Sequence, residues 1–85
     1  MKLKVFTKED CPNCPPAKRL AEAIENEGKL KVEYFSVDDP DGLAEAQFYS
    51  VMATPTIALT DDTDKEVASW RGTAPEKKEV YDKML

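Results

Sequence analysis

Two cysteines lie one helical turn apart in Cys11-Pro12-Asn13-Cys14, and the 85-residue sequence holds no others. A disulfide between them closes a loop too short to contribute much to stability, because cross-link stabilisation grows with loop length. A small secreted domain held by disulfides would need more cysteines at wider spacing. Structural zinc needs four ligands, and two thiols without a histidine would have to recruit carboxylates or a second chain. The remaining chemistry is redox: two thiols placed to react with each other. Disulfide exchange needs a thiolate, and a free cysteine ionises near ~8.5. Cys11 at the start of a helix would meet unpaired N–H groups and the positive end of the helix dipole, both favouring the anion. Lys8 adds positive charge nearby, while Glu9 and Asp10 oppose it. Cys14, one turn further in, is expected to be less exposed and to act as the resolving thiol.

Composition narrows the alternatives. Lys and Arg total 12 against 17 Asp and Glu, a net charge of −5 with no histidine. That balance disfavours nucleic-acid binding, which needs clustered cations. The lack of histidine removes imidazole catalysis. A hydrophobic fraction of 41% and a charged fraction of 34% fit a globular chain. No apolar run approaches the ~18 residues of a membrane span. The start, Met1 to Lys8, alternates charge and does not read as a secretory signal. The expectation is one domain over 1–85, monomeric and cytoplasmic. Its core is thin, since a chain of this size buries only about 60–65% of its unfolded surface.

The elements that position the cysteines follow from periodicity. Lys2 to Thr7 alternates, with Leu3 and Val5 on one face and Lys2, Lys4 and Phe6 on the other, as a short strand does. Ala17, Leu20, Ala21 and Ile24 recur at helical spacing behind Pro15 and Pro16, predicting a helix from about Pro12 to Glu27 with Gly28 as its C-cap. Lys29 to Val37 reads as a second strand, with Leu30, Val32 and Tyr34 on one face and Phe35 and Val37 on the other. Asp39-Pro40 starts a second helix, its face carrying Leu43, Ala46, Gln47 and Ser50, broadened by Phe48 and Tyr49. Ile57 to Leu59 is a third strand and Glu66 to Arg71 a fourth, antiparallel to it. Between them Asp61-Asp62-Thr63-Asp64 is too short for a calcium loop and reads as a solvated turn. Trp70 reads as a packed strand residue rather than a substrate platform. Thr73 and Glu76 fit a capping box before a last helix carrying Val80, Tyr81, Met84 and Leu85. The order β-α-β-α-β-β-α predicts an α/β fold, a four-stranded mixed sheet flanked by three helices.

C-x-x-C between a first strand and a first helix, with Thr54-Pro55 immediately before a later strand, resembles the thioredoxin superfamily across the whole chain. In length and in Cys-Pro-x-Cys it looks like the glutaredoxins or the small glutaredoxin-sized thioredoxins. The resemblance implies a thioredoxin-like fold and a thiol-disulfide oxidoreductase that reduces disulfide-containing proteins. It implies a cis Thr54–Pro55 bond facing the cysteines, and a substrate groove made by Pro12, Asn13, Thr54, Pro55, Gly72 and Thr73. Thr54 would offer its backbone to an extended substrate segment. The redox-active Cys11–Cys14 disulfide would be the only redox group, with no bound cofactor and no metal. Lys8 stands where glutaredoxins place a glutathione-contacting lysine, and is a candidate thiolate-stabilising residue. Other features depart from glutaredoxin: Asn13 replaces tyrosine, and Thr73-Ala74-Pro75 follows Gly72 in place of Gly-Gly and an acidic pair. The flanking tryptophan and the buried aspartate of typical thioredoxins are missing too, with Val5 at the latter's position. A separate thioredoxin-reductase-type donor is expected in preference to glutathione. No nucleotide-binding glycine motif exists among Gly28, Gly42 and Gly72.

A different class also places C-x-x-C near the N-terminus: soft-metal chaperones that hold Cu(I) or zinc through thiolates. Their βαββαβ order ends in a strand and lacks the Thr-Pro pair, whereas this chain ends in helical sequence.

Overall fold

Lys2–Thr7 forms β1, the strand around which a computed structural model of the chain is organised; residues 1–84 are described. The other elements are α1 (Cys14–Glu27), β2 (Lys31–Ser36), α2 (Pro40–Phe48), β3 (Thr56–Thr60), β4 (Glu66–Arg71) and α3 (Lys77–Asp82). They make one sheet in the order β2-β1-β3-β4. β1 runs parallel to β2 and antiparallel to β3, and β4 returns antiparallel beside β3. The expected element order and mixed four-stranded sheet are present.

The period-two alternation of β1 divides the core. Leu3 and Val5 join Ala17, Ala21 and Ile24 of α1, Ile57 and Leu59 of β3 and Val80 of α3 on one face. Phe6 joins Ala58, Ala46 and Tyr49 under α2 on the other. Trp70 packs against the first of these clusters, as a strand residue would. Phe6 stacks on Phe35 at 5.3 Å between ring centroids.

Four expectations need correction. First, α1 begins at Cys14, not near Pro12. Pro15 and Pro16 have no N–H, so the first i→i−4 donor after the cysteines is Ala17, and Asn13 becomes the N-cap. Second, the buried stripe of α2 is Gly42, Ala46 and Tyr49 rather than the Leu43, Ala46, Gln47, Ser50 face. A Cβ on Gly42 would lie 1.8 Å from the Ser36 carbonyl oxygen, so the bare glycine lets the helix settle on β2 with that stripe inward. Leu43 and Phe48 are left 45% and 73% exposed. Third, Tyr34 does not join Leu30 and Val32 in the core; at the edge strand it is exposed, its hydroxyl donating to Glu25. Fourth, the capping box belongs to Glu76 and Glu79, with the Glu76 N–H donating to the Glu79 carboxylate at 3.1 Å. Pro75 disfavours helical geometry at Ala74 and delays the helix beyond Thr73. The expected apolar position Leu85 lies outside the described residues.

Candidate functional site

The strand ends determine what can meet. Phe6, near the end of β1, is in register with Thr56 at the start of β3, and Thr56 in turn with Arg71 at the end of β4. The segments that leave these ends are Lys8 to Cys14, Thr54-Pro55 and Gly72-Thr73. All three therefore lie at one end of the sheet.

The loop after β1 is tied down on both sides of Lys8. Val37 N–H donates to the Thr7 carbonyl at 2.9 Å, and Glu9 N–H donates to the Asp38 carboxylate at 2.8 Å. Asp10 then turns in the left-handed region at φ 56°, a conformation that Asp tolerates better than most residues. It delivers Cys11 to the edge of α1. Cys11 and Cys14 are joined as a disulfide with 5.3 Å between Cα atoms. Cys11 is partly exposed, whereas Cys14 is 2% exposed, on the inward face of the first turn. Pro12 and Asn13 between them are exposed. A shallow pocket beside the sulfurs is lined by Lys8, Glu9, Asp10, Cys11, Pro12 and Lys18, among others.

The donor supply at the helix start is smaller than the sequence suggested. The Cys14 N–H donates to the Cys11 carbonyl at 3.2 Å, and Pro15 and Pro16 bring no donor. Those missing donors also reduce the positive end of the α1 dipole, whose partial charge sits on unpaired N–H groups.

The Thr54–Pro55 peptide is cis. The Pro55 carbonyl accepts the Gly72 N–H at 2.7 Å, so Gly72 and the cis proline are locked together. Gly72 has φ 78°, a left-handed value that suits glycine, and leads to an exposed Thr73. Among the described residues no backbone group pairs with Thr54, which lines a second groove. Lys8, Val37, Leu43, Val51, Met52 and Thr54 line that groove, so Lys8 borders both depressions.

Three features were not singled out from sequence. Lys4 is 4% exposed, its ammonium 2.6 Å from Glu45 and within 3.6 Å of Glu33 and Asp64. It lies over the rings of Phe35 and Tyr49. Burial opposes the ammonium, but the hydrogen bond to Glu45 and the surrounding carboxylates outweigh it and raise the Lys4 pKa. A signal existed, since Lys4 shares strand parity with Phe6 and a charge on that face must be paired. Met52, 93% exposed, and Arg71 carried no such signal. The Asp61–Asp64 cluster is absorbed by the turn: Asp61 Oδ1 accepts from the Thr63 N–H, the Thr63 hydroxyl and the Lys65 N–H.

Comparison with solved structures defines the class by fold. Thioredoxin 1 from Thermosipho africanus superposes over 99% of this chain and 90% of its own, with TM-score 0.79 at 18% identity. A thioredoxin from Thermus thermophilus, 27% identical, matches 96% of this chain and 69% of its own with TM-score 0.64. The chain has a thioredoxin fold carrying a vicinal disulfide. Sequence comparison makes the assignment closer. A family model described as "Thioredoxin domain" matches residues 1–84, and a thioredoxin of Methanocaldococcus jannaschii is 39% identical over 67 residues, 75% of each chain. The chain belongs to the thioredoxin domain family and is, in general terms, a thiol-disulfide oxidoreductase.

Proposed function

We propose that the protein reduces disulfides of other proteins through its Cys-Pro-Asn-Cys dithiol, acting as a single-domain monomer in the cytoplasm. The observation that carries this reading is the unequal exposure of the two cysteines, Cys11 partly exposed and Cys14 buried. In the reduced protein, the Cys11 thiolate attacks one sulfur of a substrate disulfide. A Cys11–substrate bond forms, and the other substrate sulfur leaves as a thiolate. Cys14, deprotonated, then attacks Cys11 Sγ, forming the Cys11–Cys14 bond and releasing the second substrate thiolate. Two electrons pass to the substrate, and two protons from solvent complete its thiols. The protein is left as the disulfide. Buried Cys14 reaches Cys11 but not a bulky substrate, which fixes the order of attack.

Binding of the substrate would use the sheet end. Pro12 and Asn13 flank the attacking sulfur, while Thr54 offers an N–H and a C=O to an extended segment. Pro55 withholds a donor beside the sulfurs, and Gly72-Thr73 forms the far wall. Lys8 stabilises the thiolate by charge. No cofactor beyond the disulfide and no metal is needed for these steps, and electrons would come from a flavoprotein reductase of the thioredoxin-reductase type. The Gly72-Thr73-Ala74 segment supports that donor over glutathione, lacking the Gly-Gly and acidic pair that would hold the tripeptide. The soft-metal reading loses its footing because the chain belongs to a family of different fold.

The test is insulin disulfide reduction. Wild type is expected to be active with NADPH and thioredoxin reductase and weakly reduced by glutathione; Cys11→Ser is expected to be inactive. Full activity in Cys11→Ser would refute the role of that sulfur, and reduction by glutathione alone would reverse the choice of donor.

A further inference from the structure

The groove wall at Met52 to Thr54 hangs from the end of α2, and that end is unusually built. The Ser50 N–H donates to the Gln47 carbonyl at 3.1 Å and the Val51 N–H to the Ala46 carbonyl at 2.8 Å, the two bonds of a Schellman cap. The left-handed position of that cap normally carries glycine, but here it is Ser50 at φ 56°. The last turn of α2 contains no basic residue to meet its carbonyls. A cation arrives instead from another element. Arg71, the last residue of β4, donates to the Ser50 carbonyl at 3.0 Å and to the Tyr49 carbonyl at 3.1 Å, and it is steadied by Glu66 at 3.2 Å. Its neighbour Gly72 holds Pro55. The two ends of segment 49–55 are therefore fastened to two consecutive residues, Arg71 at the end of β4 and Gly72 directly after it.

We infer that Arg71 is a positioning residue: by clamping the serine-built cap of α2 it sets the groove wall at Met52–Thr54 against which a protein substrate docks, without touching the reacting sulfurs. The inference rests on the protein-disulfide reading above. A rigid fork that spans two adjacent carbonyls suits arginine, since a lysine ammonium can satisfy only part of the arrangement. A small disulfide needs no groove wall, so it should not sense the loss.

The test compares wild type with Arg71→Met, Arg71→Lys and Arg71→Met/Ser50→Gly. Arg71→Met is expected to raise KM for insulin about tenfold with kcat within about twofold, the pattern of lost binding rather than lost chemistry. Its rate with a small aromatic disulfide should stay within about twofold of wild type. Amide exchange should accelerate at Ser50 and Val51 but not at Leu3 or Val5. Arg71→Lys should fall between, and Ser50→Gly should restore the insulin KM, because glycine takes the left-handed conformation unaided. With an active wild type, an unchanged insulin KM in Arg71→Met would overturn the positioning role alone. So would equal slowing of large and small disulfides, or failure of Ser50→Gly to rescue. A wild type inactive on insulin would overturn the reductase reading, and the role in docking with it; the exchange data would then show separately whether Arg71 holds the cap.

Discussion

At the scale of single residues, Lys4 is the clearest departure from the simple pattern of apolar inside and charged outside. It is enclosed by Glu45, Glu33 and Asp64, so its removal leaves Glu45 and Glu33 without that cation while Asp64 keeps Lys2. Breaking a fully buried pair destabilises by about 3–5 kcal/mol; because these carboxylates can regain water, Lys4→Met is expected to lose about 2–3 kcal/mol in urea unfolding. A loss below about 0.5 kcal/mol would show that the cluster contributes nothing net. The turn residues make a prediction of opposite pH sense to any basic switch. The Thr63 hydroxyl and two backbone N–H groups hold the Asp61 carboxyl below its ordinary range, and the hydrogen bond from Lys2 does the same for Asp64. A carboxylate with a depressed folded pKa adds stability above its ordinary value, and that stability disappears as pH falls through the depressed one. Wild type should therefore melt above Asp61→Ala at neutral pH, and the gap should close as the solution is acidified through and below the ordinary carboxylate range. A gap independent of pH would mean that the charge of Asp61 plays no part. The cysteine pair stood out by its spacing, whereas the cis bond at Pro55 was expected only through the family resemblance. Lys4 needed its strand parity to be weighed, and Arg71 could not be read at all. Its carbonyl partners lie 21 and 22 positions earlier, and nothing in the sequence marks Ser50 as left-handed.

At the scale of elements, the sequence located all seven, and the errors are at boundaries and faces. Two helix starts slid toward the C-terminus where proline removed a donor or constrained its predecessor, at Pro15-Pro16 for α1 and at Pro75 for α3, while α2 starts at Pro40 as expected. The inward face of α2 departs from the apolar pattern because close approach to β2 outweighs apolar size. Gly42, not Leu43, decides which side meets the sheet. Gly42→Ala should accordingly be far more damaging than alanine in a helix ordinarily is. Intrinsic propensity alone would favour the change by about 1 kcal/mol, whereas contact with the Ser36 backbone forces α2 away from β2. A lowered melting temperature with weakened packing around Phe6 and Ala46 is expected. A raised melting temperature would show that the helix has room to shift freely.

At the scale of the whole molecule, the antiparallel pairing of β1 with β3 and of β3 with β4 brings three loops to one end of the sheet. A βαβ crossover followed by a hairpin makes one mixed sheet, which is why that much of the fold was readable from element order. The groove was readable only through family resemblance, because which loop ends face each other depends on register, and register depends on all four strands together. Two apolar clusters, one on each side of β1, hold that arrangement. The order of reaction of the two sulfurs is tested most directly by Cys14→Ser incubated with a disulfide-bonded protein, followed by non-reducing electrophoresis and peptide mass spectrometry. The expected result is a stable adduct whose linkage maps to Cys11, absent in Cys11→Ser. An adduct on Cys14 in the Cys11→Ser protein, with none on Cys11 in the Cys14→Ser protein, would contradict it.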